Sequence, residues 1–255
     1  EYFAGCYRSN SHSIHMGHKM MKLSIRFIKS IITSIFLSIS TVSFADVVEV
    51  YQWKAYPGKA QDMLVSMSNA AKISASDGGQ VSIEAHNIGS TQLINYIVRW
   101  DNTKDYAKSK DMQRSSKAWV DFWAESNANP AGELVASFSA NNLDRTKKAS
   151  DFKGSYVYSA AIWKVNPGKD SALIERFLEA KSILEAAGAR VEIYAGGWGA
   201  PGEYHYVLMY DSWTALEASF SKLGPGSDWA KLMQRRAIEE GVAEQIGYIT
   251  AQTMN

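Results

Sequence analysis

Trp53-Lys-Ala-Tyr-Pro-Gly-Lys59 recurs 110 residues later as Trp163-Lys-Val-Asn-Pro-Gly-Lys169, and this repetition decides the fold. Aligning the chain with itself at that offset gives sixteen identities without a gap, from Trp53 with Trp163 to Trp119 with Trp229. Average composition would give roughly four identities over such a length. Self-similarity at a fixed period marks repeated structural units, so the chain is predicted to be a tandem duplication.

Each copy contains the same series of predicted elements. Alternating apolar and polar residues predict strands, and apolar stripes at helical spacing predict helices. In the first copy these are strand 47–54, helix 60–74, strands 81–89 and 92–100, one or two helices in 104–126, and strand 134–140. The second copy repeats them at 156–164, 172–187, 191–199, 204–211, 215–240 and 244–251. The order β-α-β-β-α-β predicts two ferredoxin-like units of the α+β class, packed sheet to sheet.

The strand ends carry a resemblance to a known superfamily. In each copy an aromatic first strand runs into Pro-Gly-Lys, and Trp100-Asp101 or Tyr210-Asp211 closes the third strand. In this pattern the chain resembles the dimeric α/β-barrel superfamily, within it the antibiotic-biosynthesis-monooxygenase-like and NIPSNAP-like domains. The resemblance implies that the two units close into one eight-stranded barrel, like a dimer fused into one chain. It also implies a pocket between helices and sheet, where members that oxidise polycyclic aromatics or degrade heme bind their ligands.

The N-terminal region is typical of an export signal. Basic residues precede an apolar run at 31–45, in which Ser43 and Ala45 are the small residues that signal peptidase accepts. A membrane anchor is the alternative, but the run is shorter than the ~20 residues that span a bilayer. We expect a leader at 1–20, a signal peptide at 21–45 and a periplasmic or secreted mature chain from Asp46, without a membrane span. Its repeats are 46–142 and 155–255, joined by a linker at 143–154.

Charge and cysteine content exclude several function classes. The chain has 27 basic and 26 acidic residues, and removing 1–45 takes away five of the first and one of the second. The mildly acidic remainder gives no electrostatic reason to bind nucleic acid. The one cysteine, Cys6, precedes the mature chain, which therefore has no disulfide, zinc–thiolate site or cysteine nucleophile. His86 and His205 are its only histidines.

Polar residues on the second and third strands of each copy predict a site inside the barrel. Period-2 alternation directs them to the face away from the helices. The candidate catalytic residues are His86, His205, Arg99 and Tyr194, with Glu84 and Asn95 as ligand-binding neighbours. The alternative is structural: satisfied histidines and an ion pair between Glu84 and Arg99.

The hairpin link sets the predicted strand register. A two-residue link at Ser90-Thr91 would place His86 opposite Asn95 and, in the second copy, Gly196 opposite His205. It would also place Arg99 diagonal to Glu84. Both histidines would then occupy equivalent cross-strand pairs, one in each copy.

A second group of candidates lies between helices and sheet. Aromatic walls suit a flat apolar ligand, because they supply large area and ring stacking. The alternative is that these rings are core, since large aromatics supply much of the buried area in any domain. The candidate ligand-binding residues are Tyr51, Trp53 and Trp100 in the first copy, with Tyr96 and Trp119 nearby, and Trp163, Tyr206 and Tyr210 in the second, with Tyr204 and Trp229 nearby.

Two functional hypotheses remain open, with a heme or metal binder as a weaker third. The first is an exported protein that binds a small apolar or aromatic molecule or a protein partner. The second is a cofactor-independent monooxygenase or isomerase with a histidine general base. Heme is not expected, because Lys110 and Phe220 stand where the heme-degrading branch has its helical histidine. We expect no cofactor and no metal site, and further homo-oligomerisation stays open.

Overall fold

A computed structural model of the protein describes residues 45–89 and 92–254. The predicted leader, the predicted signal peptide up to residue 44 and the Ser90-Thr91 link lie outside the described residues. No helix in the described part of the chain is long and apolar enough to cross a membrane. The strands are β1 Ala45–Ala55, β2 Gln80–Ile88, β3 Leu93–Asn102, β4 Gly132–Asn142, β5 Val157–Val165, β6 Arg190–Gly196, β7 Glu203–Tyr210 and β8 Ala243–Thr253. The α-helices are α1 Ala60–Ser76, α2 Thr103–Arg114, α3 Lys117–Ala128, α4 Asp170–Ala187, α5 Trp213–Phe220 and α6 Asp228–Arg236.

The eight strands form one closed barrel in the order β1-β3-β2-β8-β5-β7-β6-β4. All neighbouring strands are antiparallel, and each half contributes four adjacent strands. The halves join where β2 pairs with β8 and where β4 pairs with β6. The predicted α+β class, with two ferredoxin-like units sharing a barrel, is confirmed. Closure leaves no unpaired sheet edge, which removes the usual site of edge-to-edge aggregation.

Helices cover the outside of the barrel with one apolar core in each half. In the first half, Met63 and Met67 of α1 pack on Val98 and Trp100 of β3. In the second half, the equivalent helix α4 packs on β6 and β7 through a larger set of buried residues. Both helices begin directly after a Pro-Gly turn whose glycine has positive φ, Gly58 in the first half. The helices therefore bury the sheet faces that period-2 alternation predicts as apolar.

The predicted linker closes one end of the barrel. It contains a 3₁₀ helix, Ala149–Phe152, and Phe152 is only 2% exposed. The Phe152 ring lies between two guanidinium groups, 4.1 Å from that of Arg99 and 4.4 Å from that of Arg190. Cation–π contacts of this kind hold a ring in place where a bare apolar contact would not orient it. The segment is part of the barrel core and does more than connect the halves.

The predicted register is wrong by two residues in both hairpins. Glu84 lies opposite Asn95, and Tyr194 lies opposite His205. In the second half, the residues after β6 leave the hairpin and turn against β4. The Gly197 amide donates to the Ser139 carbonyl at 2.7 Å, and a Cβ on Gly197 would lie 2.6 Å from Ser139 Oγ. A shift of two residues keeps every side chain on its predicted face, so the assignment to the barrel interior holds.

Candidate functional site

A cavity of about 410 Å³ lies in the first half, between helices α1 to α3 and the outer face of β1 and β3. We call it the first-half cavity. Its volume is within the range of about 300–1,000 Å³ that is usual for small-molecule sites. Aromatic and methionine side chains form most of its wall: Tyr51, Trp53, Met63, Met67, Tyr96, Trp119, Phe122 and Trp123.

Helix α3 supplies one aromatic wall of the first-half cavity. Trp119, Phe122 and Trp123 follow helical i, i+3, i+4 spacing and contact one another at 5.1 to 6.1 Å between ring centroids. The Trp119 indole N–H donates to Asp77 Oδ2 at 2.8 Å, which ties α3 to the end of α1. Trp123 is 46% exposed and lies at the rim. Helix α3 can therefore present these ring faces to a ligand while the hydrogen bond from Trp119 to Asp77 holds the helix in place.

A polar cluster lies beside these rings. The Glu49 carboxylate accepts hydrogen bonds from Tyr51 at 2.7 Å, from Tyr106 at 3.0 Å and from the Lys110 ammonium. Burial is the main reason why the pKa of both phenols is raised above the usual range, and the charge of Glu49 adds to the effect. The phenols therefore stay protonated donors at neutral pH. Lys110 also lines the first-half cavity, and its ammonium lies 5.7 Å from the centre of the Trp100 ring behind the lining.

The sequence predicts part of this site and misses its polar half. Tyr51 and Trp53 line the first-half cavity as predicted. Trp100 lies outside its lining, since it is 1% exposed and packs edge-on against Tyr106 at 5.1 Å. Glu49 was not predicted, although it shares the face of Tyr51 by period-2 alternation.

The equivalent space in the second half is filled. Phe177 occupies it and contacts Trp163, Tyr204 and Tyr206 with ring centroids 4.9 to 6.3 Å apart. Phe177 corresponds to Met67 at the 110-residue offset. Trp163, Tyr206 and Tyr210 belong to the second-half core, where Tyr210 is 4% exposed. The rings of Trp163 and Tyr206 pack on Phe177, and the ring of Tyr210 packs on Phe220. Their contact with a ligand stays a prediction.

A smaller cavity of about 270 Å³ lies inside the barrel, and we call it the barrel cavity. Of the predicted residues, those that line it are Glu84, Asn95, Arg99, Tyr194 and His205. His86 is buried on the same strand face as Glu84, outside this lining. The barrel cavity therefore brings together most of the residues that the sequence places in the interior.

Two hydrogen-bonded clusters fill the polar part of the barrel. Arg99 donates to Asp46 at 3.0 Å and to the Tyr194 hydroxyl at 2.8 Å, and that hydroxyl donates to Asp46 at 2.7 Å. The Glu84 carboxylate accepts from Tyr156 at 2.5 Å and from Ser82 at 2.8 Å. The predicted ion pair between Glu84 and Arg99 does not form, because the observed register separates them and Asp46 takes the guanidinium.

The two clusters occupy equivalent positions in the duplicated fold, but the acid and the tyrosine exchange places between them. Asp46 corresponds to Tyr156 at the 110-residue offset, and Glu84 corresponds to Tyr194. Each cluster therefore joins a carboxylate of the first half to a tyrosine of the second half. Contact across the barrel is complementary between the halves, with the acids on one side and the phenols on the other.

The two barrel histidines are neutral at pH 7. Burial lowers the pKa of His205 to about 4, and its ring stacks on Phe138 with centroids 4.9 Å apart. Burial also lowers the pKa of His86, although Asn95 and Glu84 oppose the shift. Among the described residues, neither nitrogen of His86 nor Nε2 of His205 has a hydrogen-bond partner. Neither histidine is bonded to Arg99 or Tyr194, so the predicted catalytic group is not one connected unit.

No cluster of metal-ligating side chains assembles in the described part of the chain. Residues 45–89 and 92–254 contain no group of three or more His, Cys, Asp or Glu side chains placed to hold a metal ion. At the two positions where the resemblance would place a helical histidine, Lys110 is engaged by Glu49, and Phe220 packs against Tyr210. These residues do not fit an axial heme ligand.

Comparison with known proteins addresses the fold. No protein-family profile and no curated protein sequence matches the chain. A provisionally assigned monooxygenase from Fusobacterium nucleatum has a TM-score of 0.53 at 13% identity, over 83% of this chain and 94% of that one. An anthrone oxidase-like protein gives 0.51 at 16% identity, over 85% and 94%. A provisionally assigned chlorite dismutase gives 0.53 at 12% identity, over 83% and 96%. At such identities the similarity shows one thing, that this chain has the dimeric α/β-barrel fold.

Proposed function

We propose that the protein binds a flat aromatic molecule with an oxygen acceptor in the first-half cavity. The observation that carries this proposal is the difference between the halves. One fold appears twice in the chain, and Phe177 fills in the second half what Met67 leaves open in the first. An unfilled space loses dispersion contacts and costs stability. A cavity kept open at the place where the other half packs the Phe177 ring therefore indicates use.

The lining defines the ligand class. Trp53, Tyr96 and Trp119 offer aromatic surface on both the sheet side and the helix side of the cavity. A planar ring system inserted there would gain stacking as well as apolar burial. Burial raises the pKa of Tyr96 to about 12, so this phenol also stays neutral. The apolar part of the ligand therefore meets neutral rings on each side.

Lys110 defines the polar end of the ligand. Its ammonium donates to Glu49 and makes two long contacts of 3.5 Å, to the Tyr51 hydroxyl and to Gln113 Oε1, and a ligand oxygen could replace either of these long contacts. A carbonyl, phenolate or carboxylate oxygen of the ligand would accept from the ammonium. This charge-assisted hydrogen bond would orient the ring system in the cavity.

Met67→Phe tests the proposal, because it puts into the first half the residue that fills the second. The probe is 1,8-dihydroxyanthraquinone, followed by quenching of the fluorescence of the tryptophans at the cavity. We expect the M67F variant to bind this probe at least about tenfold more weakly than the wild-type chain, since the phenylalanine ring would occupy the volume that the probe needs. Met67→Leu, which conserves volume, is the matched control. Equal binding by M67F and the wild-type chain would refute the proposal.

Lys110→Met separates the polar end from the rings. We expect it to weaken binding of 2-naphthoate by about tenfold, the effect of losing one charge-assisted hydrogen bond, and to leave naphthalene binding nearly unchanged. A uniform loss for both probes would mean that Lys110 supports the cavity without contacting the ligand.

Binding is favoured over the catalytic alternative by the state of the histidines. A general base works best with a pKa near the operating pH. Burial holds the pKa of His205 near 4, and His86 is outside the barrel cavity lining. A cofactor-independent oxygenase or isomerase based on these two residues would therefore have a weak base at pH 7.

Export is part of the same proposal and rests on the sequence of residues 21–45. Asp46 is fully buried and bonded to Arg99 and Tyr194, so a chain that begins at Asp46 keeps this interior contact. N-terminal sequencing of protein recovered from the periplasm or medium of an expressing bacterium should give Asp46 as the first residue.

A further inference from the structure

We propose that the barrel cavity is a second binding site, for a small organic amine whose ammonium group pairs with Glu84. This site is separate from the first-half cavity and opens on the other face of the sheet. Its polar residues come from both halves of the chain, so neither half forms the site alone.

The cavity has a closed end and an accessible end. Arg99 and Tyr194 line it and are covered by Phe152, whose ring lies 4.1 Å from the guanidinium carbon. The lining residues Ala136, Ser137 and Gly199 are exposed. A ligand can therefore enter past these residues and reach the buried groups. The volume of about 270 Å³ limits it to a small molecule.

Glu84 is a buried acid that forms no salt bridge in the described part of the chain, although the charge of Arg99 acts on it from a distance. It is 1% exposed, and its Oε1 accepts from two hydroxyl groups, those of Tyr156 and Ser82. The other oxygen, Oε2, is buried and has no partner among the described residues. Such an atom is costly to leave unpaired, so a donor from a ligand would be stabilising.

The charges around Glu84 decide between a cationic and an anionic ligand. Arg99 is the one basic residue in the lining, and it is paired with Asp46. His205 is neutral because burial lowers its pKa. Glu203 adds a second acid near the accessible end, 3.9 Å from Lys164. An incoming anion would meet excess negative charge, whereas an ammonium group would neutralise Glu84.

The walls also suit an amine. The rings of Tyr156 and Tyr158 line the cavity with centroids 6.2 Å apart, and Tyr156 holds the Glu84 carboxylate itself. An ammonium group near Glu84 would therefore lie beside aromatic faces that attract cations. Val50, Ile97 and Val207 line the rest of the space and would contact an apolar tail.

Benzylamine, benzyl alcohol and benzoate are three probes of nearly one shape with different charge, and their binding is measured by isothermal titration calorimetry. We expect the amine to bind the full chain at least about tenfold more tightly than the alcohol, because an ion pair replaces a neutral hydrogen bond. Glu84→Gln should remove that preference. Glu175→Gln, a change of the same kind at an exposed acid that lines neither cavity, should keep it.

Two further variants keep the test decisive. Ala160→Val introduces the residue that the first half carries at the equivalent position, Val50, and narrows the barrel cavity without changing charge. It should weaken amine binding even if Glu84→Gln fails to fold. Met67→Phe should leave amine binding unchanged, so failure at one cavity is distinguishable from failure at the other. Tighter binding of benzoate than of benzylamine, or equal binding of the amine by Glu84→Gln, would overturn the proposal.

Discussion

Met67 and Phe177 occupy equivalent positions, and the difference between these two side chains separates a cavity from a packed core. Asn95 and His205 are a second such pair, both on the barrel side of the sheet. The amide of Asn95 is bonded, donating to Tyr158 at 3.3 Å and accepting from Gln52 at 3.2 Å. The imidazole of His205 instead stacks on Phe138. Single residues thus give each half its own chemistry on a common backbone.

His205→Asn gives a prediction about the pH dependence of stability. The pKa of His205 is about 4 in the folded chain and near its usual 6.5 when unfolded. The unfolded state therefore binds more protons between these values, so wild-type stability is lost as the pH falls from 6.5 towards 4, by up to about 3 kcal/mol. His205→Asn lacks this loss, because asparagine does not titrate.

Urea unfolding of both chains at pH 7, 5.5 and 4 measures the effect. His86 is present in both chains, so its own titration cancels in the comparison. The difference in unfolding free energy between wild type and His205→Asn should change in favour of the variant as the pH falls. Parallel curves would show that His205 does not become charged on unfolding.

The elements show what local sequence determines and what it does not. Element order, strand faces and the positions of Tyr51 and Trp53 follow from periodicity, which each segment carries in itself. The hairpin register cannot be predicted from periodicity. In the second half, Gly197 leaves the hairpin and its amide donates a hydrogen bond to Ser139 of β4, a residue distant in sequence. The Glu49 and Lys110 pair was also missed, since it forms only when α2 lies across β1.

Phe152→Ala tests whether the 3₁₀ helix is part of the barrel. Removal of a buried ring should lower the free energy of unfolding by about 3–5 kcal/mol, more than for an ordinary linker residue. The variant also exposes the guanidinium groups of Arg99 and Arg190, which now lie against the ring. Chemical denaturation measures the loss, and Lys153→Ala, the exposed neighbouring residue, is the control. Similar stability of the two variants would mean that the segment only connects the halves.

At the scale of the whole molecule, the two joins between the halves are the shortest strand pairings. The β4–β6 ladder has three residue pairs, whereas β1 and β3 share nine. Side chains across the barrel therefore contribute strongly to holding the halves together. The reversed clusters do this selectively: a carboxylate of the first half always meets a tyrosine of the second. Two copies of the first half would place Asp46 against Glu84, and two copies of the second would place Tyr156 against Tyr194.

Tyr194→Glu tests this selectivity in the intact chain, because it gives the second half the acid that the first half carries at the equivalent position, Glu84. The new carboxylate would lie against Asp46, and Arg99 can neutralise only one of the two. We expect Tyr194→Glu to be about 3 kcal/mol less stable at pH 7 than Tyr194→Phe, which loses only the hydroxyl. Like charges raise the pKa of a buried pair above its unfolded value, so the folded variant takes up protons as the pH falls. The gap between the two variants in urea unfolding should therefore narrow from pH 7 to pH 4.5. A gap that is absent, or that does not depend on pH, would show that the reversed clusters do not select one half for the other.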